Sequence, residues 1–125
     1  MKILLVSLAV GAAGFVGSLA RWFIGRAIGQ LNIGFPVGTL LINLTGSLFL
    51  GWFITHATRH QFSDATRAAI GVGFVGAYTT FSTYMYESNA LLKEGAEIKA
   101  GVYLIGSMVL GILCVRVGIW LAQYT

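Results

Sequence analysis

Charge is what this sequence has least of. Only four acidic and eight basic residues occur in 125, and charged residues make up 10% of the chain while hydrophobic ones make up 57%. A water-soluble domain carries about 25% charged residues, so this chain has too few to cover the surface of a small soluble globule. Cysteine is nearly absent too. Cys114 is alone, which excludes an internal disulfide, and its apolar surroundings suit a small buried hydrophobe. No cluster of cysteine and histidine has metal-ligand spacing. His56 and His60 stand one helical turn apart, but they flank a polar connection and read as a solvated pair. The net charge of +4 comes from basic residues scattered singly. Without a patch or interleaved aromatics there is no nucleic-acid footprint. No nucleophile–base pair shares a span, which argues against an enzyme.

Long uncharged runs are abundant. Ile3–Ala20, Phe35–Ala57 and Ala68–Tyr86 are 18, 23 and 19 residues long, near the roughly 20 needed to cross a bilayer. Ala100–Val115 is shorter, but it resumes after Arg116 and runs to Tyr124, and an arginine near a helix end can snorkel to the interface. The pattern predicts an all-α membrane protein of four transmembrane helices forming one domain over residues 1–125. The first run also has the Lys2 start and the Ser18-Leu19-Ala20 close of a signal peptide. Three further spans and the interfacial pair Arg21-Trp22 favour a true span. The connections are short. The first holds Gly25, Gly29, Asn32, Gly34 and Pro36; the second, Thr58–Arg67, has Ser63 or Asp64 to cap the third helix; the third is Glu87–Lys99. Lys2, Arg59, Arg67 and Arg116 fall toward one side, and Arg21, Arg26, Lys93 and Lys99 toward the other. This even division gives the positive-inside rule nothing to act on and predicts insertion in both orientations.

Polar residues inside these runs form stripes. Thr39, Asn43 and Ser47 recur every four residues on one helix face. They either bond neighbouring helices or aim donors at an anion. Tyr103 and Ser107 repeat that spacing, and Gly106 and Gly111 beside them permit close helix contact. Gly11, Gly14 and Gly17 form a small-residue face ending at Arg21, which anchors the helix or makes a vestibule positive. The third run is unlike the others, with three glycines leading into Thr79-Thr80-Phe81-Ser82-Thr83. Glycine weakens a helix by about 1 kcal/mol relative to alanine, and hydroxyls can satisfy backbone groups freed by a break. The composition predicts a helix broken near its middle, around Gly76–Thr80. Its bare carbonyls suit a cation, and its freed amides and hydroxyls suit an anion. Phe81 and Tyr84 lie three apart, so their rings either pack or turn positive edges toward an anion.

These residues resemble the CrcB/Fluc fluoride-channel family over essentially the whole chain. The matching segments are Gly14-Phe15-Val16-Gly17-Ser18-Leu19-Ala20-Arg21-Trp22, Gly38-Thr39-Leu40-Leu41-Ile42-Asn43-Leu44-Thr45-Gly46, and Gly106-Ser107. The most specific is Gly73-Phe74-Val75-Gly76-Ala77-Tyr78-Thr79-Thr80-Phe81-Ser82-Thr83-Tyr84, with Glu87 following. The resemblance implies an antiparallel, dual-topology homodimer in the cell (inner or plasma) membrane, with two passive pores that export fluoride. It implies that Asn43 donates to fluoride and that Phe81 presents its ring edge. Thr39, Thr80, Ser82, Thr83, Tyr103 and Ser107 would extend a polar track, with Arg21 shaping the vestibule. The Gly76 and Thr79 carbonyls would hold a structural Na+ at the dimer interface. Tyr84 replaces the second phenylalanine of the family's aromatic pair, so its hydroxyl bonds fluoride or narrows the path. Ala77 replaces a frequent glycine and tightens the break. Glu87 matches a carboxylate of the motif and has no assigned role.

Two other readings compete. A small dual-topology multidrug or cation exporter needs a carboxylate within a span, and none of Asp64, Glu87, Glu94 and Glu97 lies mid-span, though Glu87 borders one. A membrane scaffold needs small packing faces but no broken third helix.

Overall fold

The computed structural model describes residues 1–31 and 33–125. Asn32, expected in the first connection, lies outside them. The elements in order are α1 (Lys2–Gly29), α2 (Val37–Arg59), α3 (Asp64–Arg67), a π-helical stretch (Ala68–Val75), α4 (Gly76–Tyr78), α5 (Phe81–Lys93), α6 (Glu97–Leu121) and a closing 3-10 turn (Ala122–Tyr124). Among the described residues there is no strand. Three continuous helical stretches among the described residues are long and apolar enough to cross a membrane: Lys2–Gly29, Val37–Arg59 and Glu97–Tyr124. The chain is therefore an all-helical, multi-pass membrane protein in outline.

Local chemistry sets the turns. Gly34 takes φ +65°, a left-handed conformation that costs glycine little, and Pro36 then caps α2, where a missing N–H costs nothing. Ser63, one of the two expected caps, accepts the Thr66 amide at 3.1 Å. Gly95 at φ +72° turns the chain between α5 and α6.

Element ends differ from the uncharged runs. α1 continues eight residues past Arg21 to Gly29, about 12 Å at 1.5 Å per residue. Arg21 and Trp22 are thus two turns inside the helix, not at its end. Glu87, expected to begin a connection, sits within α5; that connection is only Glu94–Ala96. Arginine and glutamate are tolerated there because both line a cavity and not a lipid-facing surface.

Glycine decides how the helices meet. α1 packs on the π-helical stretch and α4, and α2 packs most extensively on α6. Gly17 of α1 lies directly against the Phe74 carbonyl, and Gly73 against Val10. On the other side Gly51 abuts Val115, and Gly118 abuts Leu48 and Trp52. In each case a Cβ would occupy the space of backbone atoms, so only glycine allows these spacings. Of the expected small face on α1, Gly14 and Gly17 are used, whereas Gly11 meets nothing within 4 Å. Gly106 likewise meets nothing within 4 Å; on α6 the close approach is made by Gly118. Large apolar side chains along the outer faces, including Leu4, Leu8 and Phe15 of α1 and Ile105, Val109 and Ile112 of α6, are exposed, as lipid requires and water penalises.

Candidate functional site

The backbone leaves helical geometry between α4 and α5. Thr79 has φ −80°, ψ 159° and Thr80 has φ −148°, ψ 116°, both extended. Extended residues at membrane depth need partners for their N–H and C=O groups, and Asn43 of α2 supplies them. Its Nδ2 donates to the Thr80 carbonyl at 3.0 Å, and its Oδ1 accepts the Thr80 amide at 2.8 Å. One side chain thus completes a two-bond pairing with one residue's main chain. The pairing fixes which end of the amide is oxygen, and among the described residues it leaves the second Nδ2 hydrogen uncommitted.

The carbonyls of Gly76, Ala77, Tyr78 and Thr79 lose their helical partners as a result. In an unbroken helix the Thr80 amide would bond Gly76 O; here it bonds Asn43. The Thr83 amide would bond Thr79 O; here it donates to Thr80 Oγ1 at 3.2 Å. Gly76 O and Thr79 O are therefore among the acceptors released by the chain's departure from helix. Thr79 is held in turn by its hydroxyl, which donates to Val75 O at 2.9 Å, and by its methyl, which seats against Gly46.

Thr80 caps α5 and orders its first turn. Its hydroxyl donates to Thr83 Oγ1 at 2.9 Å and lies 3.4 Å from Ser82 Oγ. Losing such a cap costs about 1 kcal/mol. Thr80→Val should therefore lower the unfolding free energy by about that amount, read as a reduced melting temperature in detergent; an unchanged transition would show that the cap carries no stability.

Two cavities meet at Thr80. The larger, about 950 Å³, is an open cleft lined by Arg21, Arg26, Thr39, Thr80, Thr83 and Glu87 among others. The smaller, about 320 Å³, is lined by Asn43, Ser47, Thr79, Thr80, Phe81, Tyr84 and Ser107 with apolar neighbours, and no acidic or basic side chain reaches it. Ser107 Oγ is buried and has no hydrogen-bond partner among the described residues. Phe81 is 72% exposed, and its ring meets Tyr84 edge-to-face at 6.1 Å. The edge contacts continue from Tyr84 to Tyr103 at 5.0 Å and from Tyr103 to Phe35 at 5.4 Å.

The expected residues separate into groups. Asn43, Phe81, Tyr84, Thr79, Thr80 and Ser107 gather at the smaller cavity; Arg21, Thr39 and Thr83 line the larger one. Ser82 lines neither, Gly76 is exposed on this chain, and Tyr103 is buried. Three hydroxyls have other partners than those expected. Tyr84 donates to Leu104 O at 2.6 Å, so its hydroxyl is spent inside the chain. Thr39 and Tyr103 each donate to one oxygen of Glu87, both at 2.8 Å. Glu87 is therefore the acceptor that organises this part of the stripe. Sequence reasoning named the glutamate but not its two donors, because neither spacing nor composition records a contact between residues 48 and 16 positions apart.

Known proteins resemble this chain along nearly its full length. The sequence profile of the family described as "CrcB-like protein, Camphor Resistance (CrcB)" matches residues 8–119. A protein of Chlorobium phaeobacteroides (strain BS1) named "Fluoride-specific ion channel FluC" is 41% identical over 117 residues, covering 93% of this chain and 91% of the relative. "Fluoride-specific ion channel FluC 2" of Geobacillus kaustophilus (strain HTA426) is 41% identical over 121 residues, covering 95% and 94%. "Fluoride-specific ion channel FluC 1" of Nitrobacter hamburgensis (strain DSM 10229 / NCIMB 13809 / X14) is 43% identical over 118 residues, covering 93% and 94%. Matched along nearly its full length by the family's profile and by these relatives, the chain belongs to the CrcB family.

Proposed function

We propose that this protein is a fluoride-specific channel and not an enzyme. The observation that carries this reading is the lining of the smaller cavity: a free Asn43 N–H, a buried unpartnered Ser107 hydroxyl and exposed Phe81 ring edges, with no charged group beside them. Fluoride is small and strongly hydrated. A pore must replace its water with fixed donors yet let it leave. A buried cation would hold it too long, whereas neutral dipoles and ring edges bind it weakly. The names of the family relatives, fluoride-specific ion channels, support the same substrate.

In this reading fluoride enters from the larger cleft, where Arg21 and Arg26 raise its local concentration. It passes Thr80 and Asn43 to the smaller cavity, while Phe81, Ser107 and the Thr83 hydroxyl extend the donor track; Ser82, which lines neither cavity, joins only through Thr80, 3.4 Å from its hydroxyl. Thr39 and Tyr103 join only by exchanging Glu87 for the anion. Tyr84 contributes its ring and not its hydroxyl, which is held by Leu104 O. The cation-exporter alternative is not favoured, since both oxygens of the one half-buried carboxylate are occupied by hydroxyls.

The departure from helix at Thr79–Thr80 is read as a functional break of the third span. The assembly is read as an antiparallel homodimer with two pores in the cell membrane. The even split of basic residues supports dual insertion. The exposure of Phe81 leaves a ring that a second copy can cover. A sodium ion fits the same frame: Gly76 O and Thr79 O have lost their helical donors, and carbonyl oxygens suit a hard cation. Bound between copies, sodium would supply the charge that neutralises these carbonyls and joins the subunits.

The test is fluoride efflux from proteoliposomes, read with a fluoride electrode. Rapid release that empties the protein-bearing vesicles supports the reading; fluoride retention by correctly assembled protein defeats it. Replacing sodium with N-methyl-D-glucamine throughout purification should lower the flux. Full flux in protein shown to contain no sodium would remove the cation from the account.

A further inference from the structure

Outside the cavities, one cluster of potential ligands stands unexplained. It lies at the carboxyl end of α2, thirteen residues beyond Asn43 and about 20 Å along the helix. His56 and His60 are one turn apart on α2 and its cap, with ring centroids 4.3 Å apart. Trp52 stacks on His56 at 5.1 Å, and Phe62 meets it edge-on at 5.7 Å. Both imidazoles point at the same residue: His56 Nδ1 is 3.2 Å from Thr125 Oγ1, and His60 Nε2 is 3.1 Å from Thr125 O.

We infer that His56, His60 and Thr125 form a binding site for a borderline-soft divalent transition metal such as Zn2+ or Cu2+. Imidazole is the side chain such ions prefer, and histidines one turn apart present both rings to one ion, as in helical zinc motifs. Both ring nitrogens converge on one residue at ordinary hydrogen-bond distances of 3.2 and 3.1 Å, and an ion would take the place of those two hydrogen bonds as Thr125 moves outward.

Protonation also fits. Trp52 Nε1 donates to Thr125 Oγ1 at 3.1 Å, so that hydroxyl can give its own proton to His56 Nδ1, whose lone pair then faces the site. The Thr125 main-chain oxygen can only accept, so His60 Nε2 carries a proton toward it. Metal binding displaces that proton to the other ring nitrogen or releases it. The adjacent cation, Arg59, is turned away to the Ala122 carbonyl. No third histidine or cysteine and no aspartate or glutamate joins the pair among the described residues. Water therefore completes the shell, and affinity rests on the two imidazoles. A bound ion would tie the end of α2 to the turn after α6, the junction that Arg59 already bridges.

Isothermal titration of ZnCl2 into the tag-free dimeric protein in detergent tests this. We expect saturable binding at one ion per chain, weakened about tenfold or more by His56→Ala and by His60→Ala separately. In parallel, Cu2+ added at one equivalent should show electron-spin-resonance coupling to two imidazole nitrogens and should quench Trp52, the tryptophan stacked on the site. His60 is exposed, so His60→Gln preserves the fold if His56→Ala does not. Zinc affinity unchanged in the single variants, or copper held by a single nitrogen, would overturn the assignment. Because the readouts are binding and spectroscopy, they are independent of whether fluoride flows.

Discussion

Asn43→Ala lowers fluoride flux by about 10- to 100-fold and also destabilises the protein. The two effects have separate causes. Flux falls because the free Nδ2 hydrogen is the donor that would meet the anion, and a hydrogen bond to a charged group contributes about 1.5–3 kcal/mol. Stability falls because the Thr80 amide and carbonyl, on a residue only 8% exposed, lose both partners together. An unsatisfied buried backbone group costs about 1–3 kcal/mol, so the pair costs about 2–6. From the sequence alone Asn43 either bonds a neighbouring helix or donates to an anion; the contact with Thr80 makes it a structural brace beside the free donor. Asn43→Asp separates the roles. It keeps an acceptor for the Thr80 amide but faces the Thr80 carbonyl with negative charge and offers an anion no donor. Flux in that variant should be lower still. Electrode traces and thermal melts on the same preparations check both statements, and full flux in Asn43→Asp would remove the amide from the path.

Gly118→Ala should unfold or separate α2 from α6, at a cost of about 3 kcal/mol or more. Overpacking ordinarily costs about 1–3 kcal/mol because side chains shift to make room. Here the added methyl would fall on the Leu48 carbonyl and the Trp52 amide, which cannot move without parting the helices. Gly101→Ala is the matched comparison on the same helix. Nothing lies within 4 Å of its added carbon, and alanine is a better helix former by about 1 kcal/mol. The two variants should therefore move the melting temperature in opposite directions. A Gly118→Ala protein that melts with the unaltered chain would show that the α2–α6 contact is looser than described.

Much of the architecture could be read from hydropathy because lipid enforces it. A helix in hydrocarbon must be apolar along its length, and Phe35–Ala57 marks α2 to within two residues of each end. The ends of α1 were less legible. Arg21 and Arg26 interrupt the apolar run, yet the helix passes through both, since a cation facing a wet cleft pays no lipid penalty. The same reason hid Glu87 within α5. The π-helical stretch has no signature beyond its glycines, which also suit ordinary close packing. Among the site residues, the types and faces of Asn43, Phe81, Thr80 and Ser107 were visible from spacing. Their pairings were not. Asn43 with Thr80, Glu87 with Thr39 and Tyr103, and Tyr84 with Leu104 O are long-range contacts set by helix packing. That packing depends on which glycine meets which backbone, as Gly51 and Gly118 illustrate, and one chain's sequence does not record it.

The central claim is that uncharged dipoles around Asn43, Phe81 and Ser107 take the place of water around fluoride and around no larger halide. The direct measurement is the zero-current potential across a planar bilayer holding the protein, with fluoride on one side and chloride on the other. The account predicts a potential set by the fluoride gradient alone, with chloride carrying no measurable current. Equal permeation of chloride, or a bilayer that stays silent while the protein is demonstrably inserted, would contradict it.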